Sequence, residues 1–232
     1  MAVSPVADGV YQLSSGYVNS YLIDGDEGVI LVDTLVPKRE GAIARGLKET
    51  GRSLTSVKAI LLTHSHADHA GSAGAVKTAS DAALYASAVD APAIQGVVKP
   101  PDPPGPFYVK PLFLLGSLLP GAPSTEVDQF VSETSGYRLP GDLRAVDTPG
   151  HTPGHTSYLL DRAGGVVFVG DAARATRGGR VVRGWFNRST PDVDGSLQHL
   201  AGLDFEIAVF GHSGPLRTQA SSAFRAFAEA LT

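Results

Sequence analysis

Ala59-Ile60-Leu61-Leu62-Thr63-His64-Ser65-His66-Ala67-Asp68-His69 is the stretch that organises the reading of the whole chain. The apolar run 59–62 predicts a short buried strand. Polar residues follow it at once, and three of the seven histidines fall between positions 64 and 69. In an extended segment residues i and i+2 project the same way, so His64 and His66 can grip one cation. Asp68 and His69 sit a turn further on and can face a second. They lie at the start of a helix predicted to run through the small residues 70–78. Imidazoles and carboxylates suit zinc, and also iron or manganese. A merely solvated loop needs no such density of donors behind a buried strand.

The same arrangement recurs further along. A strand over 144–147 leads into Asp147-Thr148-Pro149-Gly150-His151-Thr152-Pro153-Gly154-His155. Pro and Gly set a rigid turn without secondary structure of its own. His151 there completes a three-histidine set with His64 and His66. His155 opens the next strand, 156–160, and is read as orienting a ligand by hydrogen bonding or as a satisfied structural histidine. Asp171 ends a strand over 166–169, and its two oxygens can bridge two cations. His212 follows Gly211 at the end of a last strand, 207–210, and supplies the third side chain of the second set. All seven candidates follow apolar strands, the place where ligands gather in open α/β sheets. His199 is the exception and reads as an ordinary helix residue.

Strands are also predicted over 18–23 and 29–33, around the turn Asp24-Gly25-Asp26-Glu27-Gly28. A helix over 38–50 carries Ile43 and Leu47 on one face, and a strand follows at 83–85. A further helix is predicted to start with Thr190 as cap and Pro191 in the first turn and to reach about Leu203. A terminal helix covers 221–231. The order of elements implies two similar layers packed face to face within one domain, 1–232. Residues 91–125 form a proline-rich insertion, read as a lid, a substrate pocket, an oligomer contact or a passive loop.

Composition narrows the function. The net charge of −4 leaves no electrostatic footprint for nucleic acid. Cysteine is absent, which excludes disulfides, thiolate nucleophiles and zinc–thiolate sites. The N-terminal residues resemble no signal peptide, and the greasy stretch 111–122 is too short and interrupted to span a bilayer. The expectation is a cytoplasmic protein acting on a small molecule, with no nucleic-acid or membrane partner, and a homodimer left open.

The motifs His64-x-His66-x-Asp68-His69, Thr148-Pro149-Gly150-His151-Thr152-Pro153-Gly154-His155, Gly170-Asp171 and Gly211-His212 resemble those of the metallo-β-lactamase-fold hydrolase superfamily, in kind and order. The resemblance spans 64–212, and the predicted strands over 18–33 look like the family's opening hairpin. It implies an α/β fold, the four-layer αβ/βα sandwich. It implies one metal on His64, His66 and His151, another on Asp68, His69 and His212, and Asp171 between them. Two zinc ions are the expected cofactor, with iron or manganese as alternatives. The implied chemistry is attack by a metal-bound hydroxide on a carbonyl, with Asp68 or Asp171 steering water or passing a proton to the leaving group.

Within the superfamily the glyoxalase II and lactonase branches fit best. β-Lactamases with a cysteine ligand do not match, so β-lactam hydrolysis is expected as a side activity at most. Glyoxalase II enzymes share all seven ligands, but their basic glutathione-binding tail has no counterpart after Leu216. RNase Z-type enzymes lack the Thr-Pro-Gly-His turn. Lactonases often carry tyrosine three residues after the bridging aspartate, where this chain has Arg174. Arg174, Arg177, Arg180 and Arg183 meet an anionic substrate or form a solvated loop. Trp185 and Phe186 wall a pocket or belong to the core, with core the default. Esters and lactones come first as substrates, thioesters second. A different class also shares the fold: persulfide dioxygenases, whose single iron would sit on His64, His151 and Asp171.

Overall fold

A computed structural model describes residues 2–99, 123–135 and 139–231. The central part of the proline-rich insertion, 100–122, therefore lies outside the described residues. Seven strands form one sheet in sequence order: β1 (Ala2–Ala7), β2 (Val10–Ser15), β3 (Val18–Gly25), β4 (Gly28–Val32), β5 (Val57–Leu61), β6 (Ala83–Ser87) and β7 (Gln129–Val131). Pairing is antiparallel from β1 to β4 and parallel from β4 to β7. Parallel neighbours need crossovers. Here α1 (Glu40–Glu49) links β4 to β5, while α2 (Ala67–Ala70) and α3 (Ala73–Ser80) link β5 to β6. A short helix, α4 (Ala91–Ile94), follows β6.

The second sheet contains β8 (Leu143–Asp147), β9 (Thr156–Leu160), β10 (Val166–Phe168) and β13 (Ile207–Val209), in the order β13-β10-β9-β8. Between β10 and β13 come a separate hairpin, β11 (Ala173–Ala175) with β12 (Val181–Arg183), and helix α5 (Thr190–Ala201). Helix α6 (Ala220–Glu229) closes the described chain.

Side chains alternate across each strand, and both faces of each sheet are covered. On the first sheet Leu22, Leu31, Ile60 and Leu84 pack with Ile43, Leu47 and Val76 of the helices. Their neighbours Tyr21, Ile23, Val32 and Leu61 meet Tyr158, Phe168 and Val209 of the second sheet. Beyond that sheet Leu159, Val167 and Val169 pack on Val193, Leu197, Leu200 and Phe224. Three apolar seams thus separate four layers, helix–sheet–sheet–helix, as expected. The burial explains why β10 reads as a continuous apolar run rather than an alternating one.

Some local expectations need correction. The helix predicted from Asp68 through residue 78 is two helices. The chain turns at Gly71-Ser72, where Ser72 Oγ donates to Val36 O and accepts from Arg39 N–H. A Cβ on Gly71 would lie 2.3 Å from Pro37 N, so the crossing needs glycine. The cap of α5 is Ser189, whose hydroxyl accepts the Asp192 N–H; Thr190 and Pro191 both lie inside the helix. Among the described residues no helix is long and apolar enough to cross a membrane.

Candidate metal centre

The segment after β5 leaves the sheet between two buried carboxylates. Asp33, just past β4 with φ 61°, accepts Thr63 N–H at 2.8 Å and the Thr63 hydroxyl at 2.9 Å. Asp90, just before α4, accepts Ser65 N–H at 2.9 Å through Oδ2. The same oxygen accepts the Thr152 hydroxyl at 2.9 Å, and Oδ1 accepts Gly154 N–H at 2.9 Å. One aspartate thereby ties the His64–His66 segment to the Thr-Pro-Gly-His turn.

The seven predicted residues converge. His64, His66 and His151 form one group whose donor atoms lie within 4.8 Å of one another, and Asp68, His69 and His212 form a second on the same criterion. Asp171 stands between them. Its Oδ1 is 3.4 Å from His69 Nε2, and its Oδ2 is 3.1 Å from His212 Nε2 and 3.6 Å from His151 Nε2. His151 Nε2 approaches His66 Nδ1 to 2.9 Å, and His69 Nε2 approaches His212 Nε2 to 3.3 Å. Asp68 Oδ2 lies 3.4 Å from His212 Nε2.

Partners at the rear fix the rings. His69 Nδ1 donates to Asp33 Oδ2 at 2.8 Å, and His212 Nδ1 donates to Tyr17 O at 2.8 Å. His64 Nδ1 lies 3.0 Å from Thr63 Oγ1, whose own hydrogen goes to Asp33. With hydrogen on Nδ1 in each case, Nε2 is the nitrogen that faces the centre. His212 is held from the far end of the sequence as well. Asn19 donates from its backbone to Gly211 O and from Nδ2 to Phe210 O, and the Tyr21 hydroxyl donates to Phe210 O at 2.7 Å.

Charge and satisfaction both fit a cation. His64 Nε2, His66 Nε2 and Asp171 Oδ1 are buried and have no hydrogen-bond partner. Such orphans are costly unless something else engages them. Burial, reinforced by the neighbouring His69, holds His64 well below the ordinary imidazole range. Burial pushes His151 down to about 3 despite the Asp171 carboxylate. Asp171 is also deeply buried, yet the surrounding histidines hold its carboxyl well below the usual range. Burial opposes protonation of His212, but hydrogen bonds to Asp171 and Asp68 outweigh it and lift that ring to about 10. A neutral three-nitrogen face beside ionised carboxylates is a donor set that a divalent cation satisfies.

His155 stands outside both groups. Its Nε2 accepts the Asp171 N–H at 3.0 Å, and Nδ1 bonds Thr148 Oγ1 at 2.8 Å. It therefore orients Asp171, one of the two roles read for it. His199 is an exposed helix residue paired with Glu133. The four arginines separate. Arg183 pairs with Asp194, Arg177 and Arg180 are exposed around the hairpin turn, and Arg174 stacks its guanidinium 4.8 Å over the Trp185 ring. Trp185 is 50% exposed and Phe186 42%, so the core placement expected for these two does not hold. Trp185 lies 6.2 Å from the His212 ring, which also stacks with Tyr17 at 5.6 Å.

Asp33 and Asp90 escaped notice in the sequence. An acidic residue ending the buried run 29–32 was a usable signal for Asp33. Asp90 offered none, because its partners lie 25 and more residues away.

Fold and site together define a class. The Metallo-beta-lactamase superfamily profile matches residues 14–212, and the chain belongs to that superfamily. It is 28% identical to the Probable metallo-hydrolase YflN of Bacillus subtilis (strain 168), over 90% of this chain and 86% of that protein. It is 33% identical to a Hydroxyacylglutathione hydrolase of Methylobacterium sp. (strain 4-46), over 74% of this chain; the match spans only 53% of that relative. Among solved structures, the subclass B3 metallo-beta-lactamase BJP-1 of Bradyrhizobium japonicum superposes with a TM-score of 0.75 at 23% identity, covering 100% of this chain and 90% of its own. At that identity the likeness concerns the fold alone. A metallo-beta-lactamase family protein of Thermus thermophilus gives a TM-score of 0.70 at 27% identity, over 98% of this chain and 81% of its own.

Proposed function

We propose that this chain is a dinuclear, zinc-dependent hydrolase of carbonyl compounds, with esters and lactones as the first substrate class and thioesters as the second. One observation carries the proposal: Asp171 sits between two three-residue groups, with Oδ1 toward His69 and Oδ2 toward His151 and His212. His64, His66 and His151 would hold one ion, Asp68, His69 and His212 the other, and Asp171 both. When bound, two divalent cations supply Lewis acidity toward a carbonyl oxygen and toward water.

The protein's own residues do the rest. Asp33 fixes the His69 tautomer, and Thr63 fixes that of His64. His155 holds the Asp171 backbone, and Asp90 keeps the two ligand-bearing turns in register. Asp68 is the carboxylate nearest the rim. Neighbouring His69 and His212 outweigh its burial and hold it at about 2, so it stays ionised at neutral pH and can accept a proton and relay it to a leaving group. No side-chain nucleophile is required.

The thioester option draws support from the relatives named Hydroxyacylglutathione hydrolase, although this chain spans about half the length of the one compared above. Small-molecule substrates and a cytoplasmic setting complete the reading, in keeping with the acidic charge balance.

The test couples metal analysis to a panel of lactones, esters, thioesters and β-lactams. The expected result is close to two zinc or similar ions per chain, with turnover lost in Asp171→Ala together with metal from both groups. One tightly bound iron, with oxygen consumed on glutathione persulfide, would transfer the protein to the dioxygenase class. Near-normal hydrolysis by Asp171→Ala would remove the bridging role.

A further inference from the structure

Among the described residues, Arg174 is a cation at the rim of the site whose surroundings do not account for it. Its strand, β11, is pinned beside the site, because Ala175 N–H donates to Ser213 Oγ, next to His212, at 2.9 Å. The hairpin returns through Gly184, whose N–H donates to Ala172 O. A Cβ on Gly184 would lie 1.8 Å from Asp171 O, so only glycine lets the chain cross there. The crossing delivers Trp185 to the rim, 6.2 Å from His212, with Arg174 lying on its ring. Arg183, in the facing strand, is neutralised by Asp194. Arg174 has no carboxylate within ion-pair reach among the described residues, and its buried Nε lacks any hydrogen-bond partner. The aromatic face steadies a guanidinium but leaves its planar donor edge unused.

We infer that Arg174, braced on Trp185, is a specificity residue that binds a carboxylate carried by the substrate a few bonds from the scissile carbonyl. The inference rests on the hydrolase reading above and deepens it, selecting anionic esters, lactones or thioesters over neutral ones. A guanidinium fork matches a carboxylate in shape as well as charge, and aromatic bracing reduces the entropy lost on binding. The location beside His212 puts the anion on the side of the site to which that histidine belongs.

Two measurements on the zinc-loaded full chain test this. Hydrolysis of 4-nitrophenyl hemiglutarate is compared with that of its neutral methyl ester. The wild type should favour the anion in kcat/KM by about ten- to a hundredfold, the range of a charge-assisted hydrogen bond. In Arg174→Gln the ratio should fall to near one, and in Arg174→Lys it should recover in part. The second measurement needs no turnover. Trp185 is the single tryptophan, so its emission reports on this rim directly. Glutaramate should shift that emission saturably, glutaramide should not, and Arg174→Gln should weaken the glutaramate response about tenfold or more. Equal glutaramate affinity in wild type and Arg174→Gln, or an undiminished ester ratio in the variant, overturns the inference. Failure of the metal-loaded wild type to hydrolyse either ester, with the Arg174-dependent fluorescence intact, instead overturns the hydrolase reading and leaves the anion site standing.

Discussion

Removing the Asp90 carboxylate should loosen both halves of the metal centre without touching a proposed ligand. The side chain is buried, at 4% exposure, and accepts three hydrogen bonds at 2.9 Å, from Ser65 N–H, the Thr152 hydroxyl and Gly154 N–H. Ser65 lies between His64 and His66, and Thr152 follows His151. Alanine would strand two backbone donors and one hydroxyl, at about 1–3 kcal/mol for each unsatisfied group. Water entering the vacated space recovers part of that. A net loss of about 4 kcal/mol is expected, a large share of the 5–15 kcal/mol that stabilises a typical domain. Asparagine keeps the two bonds to the Oδ2 position but sets an NH2 against Gly154 N–H, and should cost about 2 kcal/mol. Urea unfolding followed by circular dichroism measures the stability, and competition with a chromogenic chelator measures zinc affinity. Affinity should fall about ten- to a hundredfold in Asp90→Ala, as for other residues that support ligands from behind. An Asp90→Ala protein with the wild-type midpoint and wild-type chelator competition would refute the clamp.

Two further outcomes follow from the same geometry. In Gly211→Ala the new Cβ would sit 2.1 Å from Asp171 Oδ1 and 2.7 Å from His69 Cε1, at a position without positive φ. The carboxylate must therefore move, and kcat/KM should drop about a hundredfold while the circular dichroism spectrum is retained. Burial, only partly offset by Asp171, pushes His155 down to about 3, below its unfolded value of 6.5. The unfolded chain thus takes up a proton before the folded one does. The His155 contribution, taken as the difference between wild type and His155→Gln, should be full above pH 6.5 and fall by up to about 1.4 kcal/mol per pH unit as pH drops toward 3, read from urea titrations of metal-stripped protein. The same pH slope of the midpoint in wild type and His155→Gln across that window would show that His155 is not held neutral.

The proposed ligands were legible because each combines a donor side chain with a preceding apolar run, and both signals are local. His64 after β5, Asp171 after β10 and His212 after β13 are all of this kind. Long-range partnership was not legible. Asp33 and Asp90 act through bonds to residues at least 25 positions away; Asp33 has only its place at the end of an apolar run to mark it, and Asp90 has no local pattern at all. Strands β11 and β12 have three residues each, too few to show a period. Strands β1 and β2 carry Pro5, Gln12 and several serines, and they take their places at the antiparallel edge by pairing, β2 with β3 and β1 with β2, rather than by apolar content. The break between α2 and α3 comes from Ser72 bonding to a loop 36 residues earlier, which no helical pattern in 68–78 reveals. For Trp185 and Phe186, read as a pocket wall or as core with core the default, the Gly184 crossing places Trp185 at the rim, and both are substantially exposed.

The grip of Asn19 and Tyr21 on the Phe210 carbonyl joins positions as many as 191 residues apart. Contacts of such separation form late in folding, because the intervening loop must close first. While the polypeptide is still emerging from the ribosome, the trio His64, His66 and His151 can assemble before β13 exists, but His212 has no anchor until then. On the two-ion reading proposed above, ion capture should therefore be ordered in time, with the histidine-only half loading first and the aspartate-bearing half completing only once β13 docks against the opening hairpin.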